Sequence, residues 1–302
     1  MTSDVCNAFV ATVGTFDGLH QGHRQLLQRL ICEADVRKSR SLVVTFDSHP
    51  RQVLGRADGD FRLLSSHDER FRLLASSGVD EIRQLTFTPE VASLSACQFL
   101  EQFLVRRFGV RTLVLGYDNS FGSRKNNDFD HLPDAAKALG VELLYDTPFV
   151  FEGSPVSSSR IRKALALGDI GSANAMLGRP YDISGSVVKG RGVGRRLSFP
   201  TANIVLNDPS KALPSLGVYA VEVDCQGRSY RGMANLGSCP TFDIAQSSFE
   251  VHLLDFDGDI YGQELSVRFV SRLRDIRRFS TPEELSAQLS MDKEQVYSII
   301  HL

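Results

Sequence analysis

At 302 residues, with 42% hydrophobic residues and a formal net charge of −2, the chain can bury two separate cores and has no bulk positive charge for non-specific nucleic-acid binding. No apolar run is long enough to span a bilayer, and no basic region followed by an apolar stretch marks a signal peptide, so a cytoplasmic location with no membrane or nucleic-acid partner is expected. Cys6, Cys32, Cys97, Cys225 and Cys239 are odd in number and lack C-x-x-C spacing, which argues against a disulfide framework or a zinc site.

The first apolar run, Phe9 to Val13, predicts a strand that stops at Gly14. His20 and His23 then flank Gly22, and Leu26, Leu27, Leu30, Ile31 and Ala34 repeat at helical spacing. The stretch therefore reads strand, tight loop, helix. Residues three apart lie on one side of a first turn, where unpaired N–H groups and the helix dipole favour an anion. A histidine pair in a loop is ordinarily solvated surface. Gly14, Gly18 and Gly22 in the same turn let backbone approach a ligand, and that combination favours the phosphate of a ribose-phosphate or triphosphate.

Further strands are expected at Ser41 to Phe46, Glu81 to Leu85, Thr112 to Leu115 and Val141 to Tyr145. They alternate with helices at Asp68 to Ala75, Ser95 to Phe108 and Pro133 to Leu139. Such alternation indicates an α/β domain built on a parallel sheet with helices on both faces. Polar clusters at Gly14 to His23, Asp47 to Pro50 and Gly116 to Asn127 each follow a strand, at the end where open α/β sheets bind ligands. No G-x-x-x-x-G-K-S/T, G-x-S-x-G or G-x-G-x-x-G occurs in that half, so the P-loop, hydrolase-elbow and dinucleotide readings lack their fingerprints. Ser157, Ser158 and Ser159 are N-cap candidates for the helix that Gly168 ends. Arg160 and Arg162 cannot both face the core, which leaves at least one for an anion. Asp169 caps a short helix ending at Gly178, and Arg179-Pro180 marks the expected boundary between domains 1–180 and 181–302.

From Ile183 the pattern is all strand: ISGSVVK, TANIVL, GVYAVEVDC, SYRGMANLG, FEVHLLDF and ELSVRFVSRL. Gln226-Gly227 and Asp257-Gly258 read as hairpin turns, and six short strands suggest a small antiparallel barrel. Thr281 and Glu284 form a capping box with Pro282 at the first helical position. Leu285, Leu289, Val296 and Ile299 give that helix an apolar face to cover the barrel. The loop Gly190-Arg191-Gly192-Val193-Gly194-Arg195-Arg196 combines flexible N–H groups with arginines, which suits polyphosphate, although alone it reads as a basic solvated loop. Thr201 and Asn203 project from one strand face and suit a hard cation that bridges phosphate oxygens. Glu250 alternates with buried-type Phe249, Val251 and Leu253. A strand carboxylate usually faces water; one that lines a barrel mouth can act as a general base. Asp255-x-Asp257-x-Asp259 resembles a calcium loop, but Ile260 stands where the loop glycine belongs, so it reads as a turn. No coiled-coil pattern indicates an oligomeric state.

Together these segments resemble, over nearly the whole chain, the prokaryotic bifunctional riboflavin kinase/FMN adenylyltransferase (FAD synthetase) family. His20-Gln21-Gly22-His23 within GTFDGLHQGH is similar to the HxGH signature of the nucleotidyltransferase superfamily. FDSHP (46–50), GYDNSFG (116–122) and SSSRIR (157–162) are similar to the family's later adenylylation motifs. FPTAN (199–203) and FEVHLLDFDGDIYG (249–262) are similar to the flavokinase metal motif and to the segment bearing its catalytic glutamate. Ser159 stands where threonine is common, Asn119 and Ser120 where Phe-Arg is frequent, Ser198 where glycine precedes the metal motif, and Cys239 where arginine is frequent. The resemblance implies a Rossmann-like N-terminal nucleotidyltransferase domain and a C-terminal six-stranded barrel with a C-terminal helix. It implies ATP, riboflavin, FMN and FAD as substrates and products, with Mg2+ as cofactor. On this reading Glu250 is the kinase base, and Thr201 and Asn203 hold the metal. Gly190, Arg191, Gly194, Arg195, Thr201 and Asn203 bind the kinase ATP. Gly14, Phe16, His20, His23, Ser159 and Arg162 bind the adenylylation ATP, with His20, His23 and Arg162 catalytic, and Asp118 and Asn119 contact flavin. A nucleotidyltransferase for another phosphorylated small molecule would account for the first half but not for FPTAN with Glu250; a flavin- or nucleotide-binding regulator that has lost turnover is the other alternative, and Asn119 and Cys239 keep it open.

Overall fold

A computed structural model describes residues 8–53, 61–117, 121, 129–189, 199–238 and 247–301. The chain divides into two compact units, Met1–Ser158 and Ser159–Leu302.

The first unit is built on five parallel strands: β1 (Phe9–Val13), β2 (Arg40–Phe46), β3 (Glu81–Leu85), β4 (Val110–Leu115) and β5 (Glu142–Tyr145). They lie in the order β3-β2-β1-β4-β5, so the winding direction reverses between β1 and β4. Strand alternation sorts the core onto two faces. Ala11, Val13, Leu42, Val44, Leu113 and Leu115 face one layer, and Val10, Val43 and Val114 face the other. The second layer includes α1 (Gln21–Arg37), through Leu26, Leu27, Leu30 and Ala34. Ile31 is only half-buried. Helix α2 is a single turn at Pro50–Val53, directly after the loop expected at Asp47 to Pro50, and α3 is His67–Ala75. Then come α4 (Pro89–Ser93) and α5 (Ala96–Phe99).

The helix expected over Ser95 to Phe108 is not a continuous α-helix. After α5 it widens into a π-helical stretch, Leu100–Val105, with bonds such as Arg106 N–H to the Glu101 carbonyl spanning five residues. Helix α6 (Leu132–Ala138) follows the expected pattern. The sequence reading missed a small hairpin, β6 (Val150–Phe151) with β7 (Ser154–Pro155). It turns on Glu152 and Gly153, both left-handed at φ 50° and 72°. Helix α7 (Ser158–Leu167) begins at the division between units, and α8 (Ile170–Leu177) is capped by Asp169 as expected.

The second unit is a closed barrel of six antiparallel strands: β8 (Tyr181–Val188), β9 (Ala202–Leu206), β10 (Gly217–Cys225), β11 (Arg228–Ser238), β12 (Ser247–Leu253) and β13 (Glu264–Arg274). Gln226 and Gly227, at φ 53° and 76°, form the expected turn between β10 and β11. Asp257-Gly258 is not a hairpin turn, because the closed order β10-β11-β12-β9-β8-β13 separates β12 from β13. Inside the barrel the Phe269 ring packs edge-on to Tyr219 at 5.4 Å and stacks on Phe249 at 6.0 Å.

The closing helix α9 (Pro282–Ile299) is capped by Thr281, whose hydroxyl accepts from the Glu284 N–H. Glu284 in turn accepts from the Ser280 N–H, one residue before the cap, so the box is displaced by one position. Of the expected apolar face only Val296 is fully covered; Leu285, Leu289 and Ile299 are half-buried. The other covered residue is Asp292, 2% exposed, whose carboxylate accepts from Arg274 at 2.8–3.0 Å and from Gln288 at 2.9 Å. Removing one member of a covered pair strands the other charge. Asp292→Ala should therefore cost about 3 kcal/mol, read as a lower denaturant midpoint for the barrel unit, while Arg274→Met with Asp292→Leu should recover much of it.

Candidate active sites

The loop from β1 to α1 leaves the sheet beside the strand-order reversal, where such sheets bind ligands. Its backbone is strained: Phe16 (φ 49°) and Leu19 (φ 37°) are left-handed without being glycine, and Gly18 is at 78°. One buried carboxylate holds it there. Asp17, 1% exposed, accepts from the N–H groups of Leu64 (3.0 Å) and Ser65 (3.1 Å) and from the Ser65 hydroxyl (3.3 Å). The same hydroxyl accepts from the Gly18 N–H at 2.9 Å, and Ser158 donates to the Asp17 carbonyl at 3.0 Å. Nearby, Arg70, 4% exposed, donates to the carbonyls of Phe46 (2.7 Å) and Asp47 (3.2 Å) at the end of β2. Burial lowers the Arg70 pKa, and the charge of Asp17 opposes that fall. Sequence reasoning missed Asp17 and Arg70 as supports. Asp17 lay in plain view between Gly14 and Gly18, but a carboxylate in a loop carries no mark of being buried.

The two histidines meet as expected. His20 is the N-cap of α1, its Nδ1 accepts from the His23 N–H at 3.3 Å, and the rings stack at 3.6 Å between centroids with 13° between planes. The Phe16 ring meets His23 edge-on at 5.2 Å. Both glycines matter sterically. A Cβ on Gly14 would lie 3.1 Å from the Phe16 ring, and one on Gly22 would lie 3.3 Å from the His20 ring and 3.7 Å from the Val156 carbonyl. His23 Nδ1 is shielded from solvent and has no hydrogen-bond partner among the described residues. Burial, and secondarily His20, push the His23 pKa well below 6.5, so the ring is neutral at pH 7. Ser159, exposed, and Arg162, half-buried, lie on α7 in the second unit. Asp118 and Asn119 fall outside the described residues.

In the second unit, register assembles the other cluster. Glu250 on β12 pairs with Asn203 on β9, and the Thr201 hydroxyl donates to Glu250 Oε2 at 3.1 Å. Phe249, Val251 and Leu253 face the barrel interior, so Glu250 and His252 project from the outer wall. Sequence reasoning also missed His252. Its Nδ1 lies 2.7 Å from the Pro200 carbonyl and its ring meets Phe199 edge-on at 5.3 Å, which ties β12 to the segment carrying Thr201. Burial lowers the His252 pKa. The loop with Gly190, Arg191, Gly194 and Arg195 falls outside the described residues. Hydroxyl, carboxamide and carboxylate oxygens are hard donors of the kind that accompany a small divalent cation and phosphates. Because the Thr201 proton is directed at Glu250, the lone pairs of its oxygen remain for such a cation. Among the described residues no group of three or more His, Cys, Asp or Glu forms a metal cage.

A strained turn at the switch point of a parallel sheet, and a carboxylate set among hard oxygen donors on a barrel wall, are what a two-domain nucleotide-dependent transferase needs. Residues 3–160 match the family described as FAD synthetase, and residues 177–300 match the family described as riboflavin kinase. Bifunctional riboflavin kinase/FMN adenylyltransferases from Pseudomonas fluorescens, Escherichia coli K12 and Bacillus subtilis are 38%, 37% and 34% identical; the alignments cover 94%, 94% and 95% of this chain and 90% of each relative. The chain belongs to the bifunctional riboflavin kinase/FMN adenylyltransferase family. A solved structure described as a macrolide-efflux protein from Streptococcus pneumoniae is also similar, with a TM-score of 0.86 and 34% identity over 96% of this chain and 94% of that one. That name stands apart from the curated relatives, and no helix among the described residues is long and apolar enough to cross a membrane.

A histidine held neutral in the fold but free to protonate in the unfolded chain leaves stability undiminished above pH 6.5 and erodes it as pH falls below that value. Imidazole nitrogen shifts should therefore show His23 still neutral at pH 5.5. His23→Gln should unfold with a shallower pH dependence than the wild type between pH 7 and 5.

Proposed function

We propose that the chain makes FAD from riboflavin in two ATP-dependent steps, with residues 1–180 carrying the adenylylation and residues 181–302 the phosphorylation. The matches to separate FAD synthetase and riboflavin kinase families support this division. The observation that carries the kinase assignment is the Thr201–Glu250 hydrogen bond beside the Glu250–Asn203 register pair.

In the barrel unit the ribityl 5′-hydroxyl of riboflavin attacks the γ-phosphorus of ATP. A bond forms from that oxygen to phosphorus, the bond to the ADP oxygen breaks, and Glu250 accepts the hydroxyl proton. Thr201 and Asn203 would hold Mg2+, which when bound neutralises charge on the phosphate oxygens. Gly190, Arg191, Gly194 and Arg195 would grip the remaining phosphates of ATP. In the first domain the FMN phosphate attacks the α-phosphorus of a second ATP and expels pyrophosphate. The glycine-rich turn and α1 N-terminus supply the Phe16 N–H; Gly14, whose own N–H is bonded to the Val44 carbonyl, would contact ATP through its bare Cα, and His20 and His23 donate to oxygens that gain charge. The unpartnered His23 Nδ1 supports this role, because an anion would supply the partner that the fold leaves out. Ser159 and Arg162 would hold the β- or γ-phosphate, and Asp118 and Asn119 would contact flavin. A cytoplasmic location, where ATP is available, fits both reactions.

Purified protein given riboflavin, ATP and Mg2+ should form FMN and then FAD, with chelation of Mg2+ stopping both. Glu250→Gln should lower FMN formation by about 10²–10⁴-fold while leaving FAD formation from supplied FMN intact. His23→Ala should do the reverse. A folded Glu250→Gln protein that loses both activities would refute the division of labour.

A further inference from the structure

The outer wall of the barrel extends the Glu250 cluster in one more direction. Glu250 is paired on one side with Asn203 of β9 and on the other with Asn235 of β11, so three polar side chains form one row across three strands. Directly paired residues on one face hold their Cβ atoms about 5 Å apart, close enough for neighbouring side chains to share one small ligand. Both asparagines are half-buried, and neither carboxamide makes a hydrogen bond among the described residues. Asn203 has a stated purpose beside the phosphates; Asn235 has none. Gly237, two residues further along the same face, adds no side chain there. The position its Cβ would take lies 3.9 Å from Ile276, an apolar side chain that is 45% exposed.

We infer that Asn235 is a substrate-binding residue of the kinase site, and that its carboxamide hydrogen-bonds the hydroxyl-bearing chain of the flavin next to the hydroxyl that reacts. The inference rests on the kinase reading above. A carboxamide both donates and accepts, which matches an alcohol. The row then has a direction: phosphates at Asn203 on β9, the attacking oxygen at Glu250 on β12, and the rest of the acceptor at Asn235 on β11, toward Ile276. The hydroxyl neighbouring the reactive one, on the 4′ carbon, is the group that reaches Asn235.

The test uses the full chain and two acceptors, riboflavin and its 4′-deoxy analogue. Asn235→Ala should raise KM for riboflavin by roughly tenfold, leave KM for ATP within about twofold, and leave FAD formation from supplied FMN unchanged. The wild type should lose a similar factor in kcat/KM with the deoxy analogue, and Asn235→Ala should lose little more, because both changes delete one hydrogen bond. Losses that multiply, a raised KM for ATP, or an unaltered KM for riboflavin would overturn the inference. Asn235→Ser, which keeps a hydroxyl, should fall between wild type and alanine, and it serves if the alanine variant fails to fold by circular dichroism. A wild-type protein that makes no FMN at all would overturn the kinase reading itself.

Discussion

The buried carboxylate of Asp17 is the constraint on which the first domain depends. A loop with left-handed Phe16, Gly18 and Leu19 is not a conformation the chain adopts unaided, since each such non-glycine residue costs of order 1 kcal/mol or more. Asp17 offsets that cost by accepting from Leu64 and Ser65, whose segment lies nearly fifty residues downstream. On the proposed reading, the strain and its restraint together set the loop for an anion before one arrives. Little reorganisation then remains for binding, which is how preorganised donors come to stabilise developing charge.

On the proposed reading the two sites meet one problem, control of phosphate charge, by different means. The first uses backbone: a glycine-bearing turn, a helix N-terminus and imidazoles set over it. The second uses side chains fixed by strand register, in which a shift of one residue would send Glu250 into the barrel interior and bring Val251 out. Closure of the barrel makes that slip difficult, because every strand is paired on both sides. His252 adds a second tie between β12 and Pro200, so the separation of Thr201 from Glu250 is set at two points along the strand.

Much of this was legible in the sequence, for physical reasons. Period-two and period-3.6 patterns placed the parallel strands, the helices and the six barrel strands, and the histidines three apart met as helical geometry requires. Glu250 joined Thr201 as the resemblance implied. What escaped has a shared cause. Asp17, Arg70, Asp292 and His252 are polar residues whose partners are distant in sequence, and polarity read locally assigns such residues to the surface. The π-helical stretch escaped because its composition is that of an α-helix. Asp257-Gly258 looked like a hairpin because turn chemistry says where a chain bends, while only strand order says which strands the bend joins.

The barrel closes through its last strand: β13 lies between β8 and β10, and no earlier strand completes both pairings. A chain emerging from the ribosome cannot close this barrel until residue 274 is free, whereas the parallel sheet is complete once β5 has emerged at residue 145. Domains fold in the order they are made. The half that acts second in the route to FAD is thus assembled first, and a truncated chain that retained it would take up FMN but would have no means of making it.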